Sequence, residues 1–225
     1  MTSINQKLAT STAGLVAIAT LFNAPLANAA IIVNNGYQIF GATMSDFDGL
    51  IAPALQLADQ FTLTGKAQVK EIMWRGLYFD SGSPLNDNFT IRFFKIVQEN
   101  VVEPPIEFHL GSVARQDSGV DLSGFDVFDY SAMLTSFSLD RGDYLLSIVN
   151  NTIGEADDWF WGVSSYRNSE HFFRYNDGEF WERGDEGDMA FAIAGESISV
   201  PEPSTILGIV FALGLGAISR KSKNK

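Results

Sequence analysis

Large apolar side chains recur at every second residue in four stretches of the middle of the chain. These are Phe61 and Leu63; Phe89, Ile91 and Phe93; Tyr144, Leu146 and Ile148; and Met189, Phe191 and Ile193. A spacing of two places such side chains on one face of a β-strand, whereas an amphipathic helix needs a spacing of three to four. The middle of the chain is therefore predicted to be made of strands, with one short helical pattern over residues 50–59.

Clusters of turn-forming residues separate these stretches. Gly, Pro, Asn and Asp favour tight turns, and they occur together in Asp80-Ser81-Gly82-Ser83-Pro84, Asp140-Arg141-Gly142-Asp143, Asn176-Asp177-Gly178 and Gly184-Asp185-Glu186-Gly187-Asp188. Glu103-Pro104-Pro105 is interpreted as a loop. About nine or ten short strands with no internal repeat predict an all-β fold, a jelly-roll-like antiparallel β-sandwich over residues 30–198.

The tripeptide Arg141-Gly142-Asp143 resembles a cell-adhesion motif. It lies directly between the apolar residues Leu139 and Tyr144. That position favours a tight connection between two strands over an adhesion site.

The first 29 residues have the order of a secretory signal peptide. A polar start with Lys7 precedes an apolar stretch over residues 13–22, then Pro25 and two small residues, Ala27 and Ala29. Signal peptidase accepts small side chains at these two positions, so we expect cleavage after Ala29. The alternative, an uncleaved N-terminal anchor, is disfavoured because the apolar stretch is too short for a comfortable membrane span.

The last residues of the chain have the composition of a short membrane helix. Residues 204–219 carry no charge, and Arg220 and Lys221 follow at once. A helix of this length rises about 24 Å, against a hydrocarbon core of about 30 Å. We therefore expect a marginal transmembrane helix whose basic end stays in the cytoplasm while the middle of the chain is exported.

Pro201, Glu202 and Pro203 stand directly before this apolar segment. The order Pro-Glu-Pro, apolar helix, basic tail over residues 199–225 resembles the PEP-CTERM sorting signal of exported proteins in Gram-negative bacteria. The resemblance implies processing by an exosortase, an inner-membrane-anchored intermediate, and a final place at the cell surface or outside the cell. It also implies an association with extracellular polysaccharide and biofilm.

The exported part of the chain is acidic and has no cysteine. Residues 30–198 contain ten basic and 26 acidic residues, a formal charge of −16. Such a surface repels nucleic acid, so a nucleic-acid-binding role is excluded. Because no disulfide is available, we expect stability to come from an ordinary hydrophobic core.

The usual catalytic motifs are missing from the sequence. There are two histidines, at 109 and 171, and no H-E-x-x-H, G-x-S-x-G or phosphate-binding glycine loop. The sequence therefore indicates a non-catalytic protein. The alternative is a secreted glycan-active hydrolase that uses a carboxylate pair, for which Asp157, Asp158, Glu179 and Glu182 are the candidates.

Aromatic residues crowd the region 159–181. Exposed Trp and Tyr rings stack on the apolar faces of sugars, so Trp159, Trp161, Tyr175 and Trp181 are the candidate ligand-binding residues. The alternative is that all four rings belong to the core.

Acidic residues in one turn offer ligands for calcium. Asp185, Glu186 and Asp188 supply the hard oxygen atoms that Ca²⁺ accepts, as does the pair Asp157-Asp158. Neither set has the EF-hand spacing, and solvated acidic loops are the alternative. No other cofactor is expected.

Processing of the two ends gives the first testable prediction. Protein from its native host is expected to begin at Ala30 and, after exosortase cleavage, to lack the C-terminal tail, because both ends carry removable signals. Intact-mass spectrometry of the surface fraction measures both ends. A surface form that keeps residues 221–225 would contradict the processing and leave a plain C-terminal anchor.

Overall fold

A computed structural model describes residues 29–47, 54–79, 87–111, 113–153, 157–166 and 170–198. These residues form thirteen strands. The strands are β1 (Ala30–Asn34), β2 (Ile39–Met44), β3 (Gln56–Leu63), β4 (Ala67–Tyr78), β5 (Thr90–Val97), β6 (Asn100–His109), β7 (Ala114–Leu122), β8 (Phe125–Leu139), β9 (Gly142–Val149), β10 (Trp159–Ser164), β11 (Glu170–Arg174), β12 (Glu182–Glu186) and β13 (Phe191–Ser197).

The strands form two antiparallel sheets. One sheet has six strands in the order β12-β11-β3-β9-β5-β6. In the seven-stranded sheet, β7, β8 and β4 lie side by side, and the other edge of β4 pairs first with β13 and then with β10. β1 and β2 extend β13 and β10 respectively. The prediction of an all-β sandwich is confirmed.

The predicted core residues are buried between the two sheets. All members of the four alternating stretches have at most 5% of their surface exposed, and they belong to one cluster that joins both sheets. The period of two therefore identified the inward face of each stretch correctly.

Aromatic rings fill one end of this core. Trp74 of β4 stacks on Tyr130 of β8 with ring centres 5.5 Å apart, and Phe89 meets the edges of both rings and of Trp159. Gly76 lies against Trp159, where an added Cβ would stand 2.4 Å from the indole ring. Only glycine leaves room for Trp159 at this place in β4.

Three local predictions are wrong. The helical pattern over residues 50–59 gives way to strand from Gln56 onward, because β3 pairs on its two edges with β9 and β11. Pro104 and Pro105 lie within β6, an edge strand, where a missing N–H is tolerated. Residues 184–186 belong to β12, another edge strand, and do not form the predicted turn.

The connection at Arg141 is as predicted. β8 ends at Leu139 and β9 begins at Gly142, so the Arg141-Gly142-Asp143 tripeptide joins two consecutive strands. The pairing of Leu63 with Gly142 continues the six-stranded sheet to this connection.

The two ends of the chain were predicted to carry a signal peptide and a transmembrane helix. Residues 1–28 and 199–225 lie outside the described residues, so both remain predictions. Among the residues that are described, none forms a helix with the length and apolarity needed to cross a bilayer.

A core substitution tests this packing. Phe191→Ala is expected to lower the free energy of unfolding by about 3–5 kcal/mol, because it leaves a cavity among fully buried rings. Phe180→Ala is the matched control, since Phe180 is 95% exposed, and its effect is expected to stay within about 0.5 kcal/mol. Urea unfolding measures both; equal effects would contradict the assignment of the core face.

Candidate functional site

A second layer covers part of the outer face of the six-stranded sheet. On β5, Ile91 and Phe93 face the core, so Arg92 and Phe94 point to the opposite face. There Phe94 packs in a small cluster with Ala58 and Leu145, against partly buried residues that include Trp181. The segment that follows β11 brings Trp181 onto this face. Because these side chains are buried on the outer face of the sheet, this part of the face is covered by other residues and is not open to solvent.

Two arginines lie beside this cluster. Arg92 and Arg174 have side chains only 7% and 2% exposed. Both guanidinium groups donate to Gln56 Oε1, over 3.1 Å from Arg92 and 3.0 Å from Arg174. Both also donate to Asp177, at 3.2 Å and 3.0 Å. Gln56 and Asp177 therefore hold the two guanidinium groups at fixed positions next to each other.

Two glutamates of β6 complete the charge balance. Glu107 accepts a hydrogen bond from Arg92 Nε, and Glu103 accepts one from Arg174 Nη1 over 2.9 Å. Burying an unpaired charge is costly, whereas these arginines are each paired with carboxylates and hydrogen-bonded. The pairing explains how two charged side chains persist at such low exposure.

These residues surround a recess of about 300 Å³. It is lined by Arg92, Glu103, Pro104, Pro105, Glu107, Arg174, Asp177 and Gly178. Its base is formed by arginine side chains and its rim by more exposed carboxylates, since the Asp177 side chain is 61% exposed. The volume is at the small end of ligand-binding pockets, and the lining contains both hydrogen-bond donors and acceptors.

The segment after β11 carries exposed aromatic rings next to the recess residues. Tyr175 is 47% exposed and Phe180 is 95% exposed, while Trp181 is partly buried. The Trp181 ring lies under the Arg174 guanidinium, 4.5 Å from its carbon, and touches Phe94 edge-on. The structure thus brings Trp181 and Tyr175 into one segment with Asp177 and Gly178.

Trp159 and Trp161 are not part of this surface. Both are fully buried in the core, and Trp161 Nε1 donates to the Ala190 carbonyl over 3.1 Å. Neither ring has a face available to a sugar, so their prediction as ligand-binding residues is wrong. The reason is that the face of β10 that carries both rings packs in the core between the sheets, where Trp159 meets Phe89 and Trp161 meets Phe191.

The carboxylates predicted for catalysis are scattered. Glu179 accepts hydrogen bonds from the Asn176 side chain and from the Asn176 and Tyr175 amides, which lowers its pKa. Glu182 is exposed on β12. Asp157 and Asp158 are buried, and Asp157 accepts from the Phe79 amide. Glu179 therefore stabilises a turn, and Asp157 lies in the loop before β10.

Of the three predicted calcium ligands in residues 185–188, only Asp188 has a described side chain. The side chains of Asp185 and Glu186 lie outside the described residues, and Asp188 is buried beside Asp59. Within the described ranges, no group of three or more His, Asp or Glu side chains has the arrangement to hold a metal ion. Calcium binding stays a prediction.

A second groove, of about 430 Å³, runs between the two sheets where β1 faces β3. Its lining includes Asn34, Asn35, Gln60, Thr62 and Asp188. Asp59 is fully buried next to the lining residue Gln60, and it accepts hydrogen bonds from Asn35 Nδ2, at 2.9 Å, and from the Met189 amide, at 2.5 Å. Burial, followed by the negative charge of Asp188, raises the pKa of Asp59 to about 8.

Sequence reasoning missed four charged residues that line the recess, Arg92, Glu103, Glu107 and Asp177. It also missed Gln56, which binds both arginines, and Phe180 in the adjoining segment. A usable signal was present in β5, where Ile91 and Phe93 are apolar on one face and Phe94 and Ile96 on the other. A strand that is apolar on both faces is covered on both sides. Arg92 in such a strand marks a buried charge.

The residues of the sorting signal and the signal-peptide cleavage site mostly lie outside the described residues. These are Ala27, Pro201, Glu202, Pro203, Arg220 and Lys221, whereas Ala29 is described and packs near Met73. No family model, curated protein or solved structure is found to match the chain.

The raised pKa of Asp59 predicts how stability changes with pH. The folded state holds this proton more tightly than the unfolded state, whose Asp pKa is about 3.9. The stabilisation is therefore complete below about pH 4 and is lost as the pH rises through about 8. We expect the free energy of unfolding to fall over this range.

The matched variants are Asp59→Asn and Asp143→Asn. Asparagine mimics the protonated carboxyl group, so Asp59→Asn is expected to flatten the pH profile measured by urea unfolding. Asp143 is exposed on the strand that pairs with β3. Its replacement is expected to give the same dependence of stability on pH as in the wild type. Unchanged pH dependence in Asp59→Asn would contradict the assignment.

Proposed function

We propose that the protein is exported, sorted by its C-terminal signal and placed at the cell surface or in the extracellular matrix. There it acts as a non-catalytic protein that binds extracellular polysaccharide through its β-sandwich. Signal peptidase and an exosortase are its processing partners, and the C-terminal helix holds the intermediate in the inner membrane. The proposal for sorting depends on Pro201-Glu202-Pro203, the apolar segment and the basic tail.

The recess on the six-stranded sheet is the observation that carries the binding proposal. Sugars are recognised by fixed donors and acceptors beside aromatic rings that cover the apolar ring faces. Arg92, Arg174, Asp177 and Glu103 supply paired polar groups. The rings of Tyr175 and Phe180 are exposed in the adjoining segment. Phe180 in particular is 95% exposed, so packing against the rest of the protein does not explain this aromatic ring.

The position of the recess suits a protein held by its C-terminus. Ala30 pairs with Gly195, and the Ile198 amide donates to the Lys66 carbonyl, so both ends of the described sandwich lie near the β3–β4 connection. Gln56 is at the other end of β3, about 23 Å away at 3.3 Å per residue. A sandwich tethered at Ile198 would present the recess away from the tether.

The topology supports the finer description of the fold. Most connections between consecutive strands pass from one sheet to the other, as in β3–β4, β4–β5, β8–β9 and β9–β10. We extend the proposal to a jelly-roll-like sandwich on this basis.

The second candidate function is a secreted glycan-active hydrolase. Its support is the pair Asp188, which lines the groove beside β1, and Asp59, which is fully buried near Asp188 and holds its proton near neutral pH. Retaining and inverting glycosidases both need one protonated and one ionised carboxyl group. Hydrolysis of host polysaccharide that disappears in Asp59→Asn would favour this function over simple binding.

Two exposed rings test the binding proposal. Tyr175→Ala and Phe180→Ala are each expected to weaken retention of polysaccharide from the native host about tenfold, because the ligand loses apolar contact area. Tyr166→Ala is the matched control, since Tyr166 is an exposed tyrosine that follows β10 and is not in the segment after β11 that adjoins the recess. The thermal midpoints of all three variants are expected to stay close to that of the wild type.

The measurements are a sedimentation assay with the polysaccharide and a thermal melt. If both ring variants retain polysaccharide as the wild type does, the recess is not its binding site. If Tyr166→Ala weakens retention equally, the aromatic residues act without a defined site, which also contradicts the proposal.

A further inference from the structure

The charges around the recess are unequal in number and in exposure. Two guanidinium groups lie at its base, and three carboxylates, Glu103, Glu107 and Asp177, lie at its rim. The rim side chains are 33–61% exposed, whereas the arginines are almost fully covered. A ligand that enters from solvent therefore meets negative charge first.

The arginines are already occupied by these carboxylates. Arg92 donates to Glu107, Gln56 and Asp177, and Arg174 donates to Glu103, Gln56 and Asp177. An anionic sugar would have to displace a carboxylate from a guanidinium group and approach the other carboxylates. A neutral sugar gains hydrogen bonds but no charge attraction.

We infer that the recess recognises a glycan bearing protonated amino groups, such as a de-N-acetylated hexosamine polymer. The inference deepens the proposed function and rests on it. An ammonium group at the rim can donate to the carboxylate oxygens of Glu103, Glu107 and Asp177 while the arginine pairs stay intact. The exported domain has a formal charge of −16, so it also attracts a positively charged glycan at longer range.

Other titratable side chains near the recess contribute to its net charge. His109 Nε2 lies 2.8 Å from Glu107 Oε1, and its side chain is 73% exposed. Glu179, in the same segment as Asp177, adds a further carboxylate near Arg174. Lys95 is on β5, the strand that carries Arg92, but is not among the lining residues. The immediate surroundings of the recess thus remain predominantly acidic.

Three hexamers of graded charge test the inference on the full exported protein. They are a glucosamine hexamer, its fully N-acetylated counterpart and a galacturonic acid hexamer, compared by titration calorimetry at a pH where the amine is protonated. We expect the glucosamine hexamer to bind at least fivefold more tightly than the neutral one. The acidic hexamer is expected not to bind.

Two glutamine variants distinguish binding at the recess from general attraction between the acidic protein and a positively charged glycan. Glu103→Gln keeps an oxygen for Arg174 and removes one negative charge, and Glu99→Gln removes one charge outside the recess on the β5–β6 turn. Because both variants change the net charge equally, non-specific attraction falls equally in both. We expect Glu103→Gln to weaken glucosamine binding at least threefold and Glu99→Gln to leave it unchanged.

The outcomes distinguish this inference from the proposed function. Equal binding of the neutral and amino hexamers, or equal effects of the two glutamine variants, overturns the inference and leaves polysaccharide binding standing. If no hexamer binds while host polysaccharide is retained through Tyr175 and Phe180, the inference is overturned as well. If host polysaccharide is not retained either, the proposed function fails with it.

Discussion

The packing of aromatic rings between the two sheets is the constraint on which the rest of the fold depends. The chain has no cysteine, so no covalent link holds the sheets together. Trp74, Tyr130 and Trp159 of the seven-stranded sheet instead meet Phe89, the residue directly before β5, and Phe61 of β3 meets Phe191 of β13 across the two sheets. β4 carries Trp74 and leaves space for Trp159 at Gly76. Its 12 residues are enough to pair with β8 on one edge and with β13 and then β10 on the other.

The sequence predicted the central strands and missed the edge strands for a physical reason. β9 and β13 are covered on both faces, but their largest side chains, Tyr144, Leu146, Phe191 and Ile193, all lie on the face that packs between the sheets, which gives the period of two. β6 and β12 are edge strands with many polar residues, so their sequences resemble loops. Trp159 and Trp161 show a further limit, since a period of two assigns them to one face without saying whether that face is buried.

The candidate site was only partly predictable because it depends on residues distant in sequence. Gln56, Arg92 and Arg174 meet through pairing of β3 with β9 and β11, which no local pattern specifies. Buried ion pairs seldom add net stability compared with apolar residues of the same volume. Stability alone therefore does not account for two buried arginines beside a small apolar cluster. A role as a rigid set of hydrogen-bond donors and acceptors accounts for them better.

The edge strand β6 serves the recess in two ways. Glu103 and Glu107 reach the arginines from it, and Pro104 and Pro105 between them have no N–H to donate. An exposed strand edge attracts another strand through its free N–H and C=O groups. Because the two prolines remove donors at the recess itself, pairing with a second molecule is disfavoured there. The two prolines thus disfavour association at this edge and leave the rim open to the glycan that we propose.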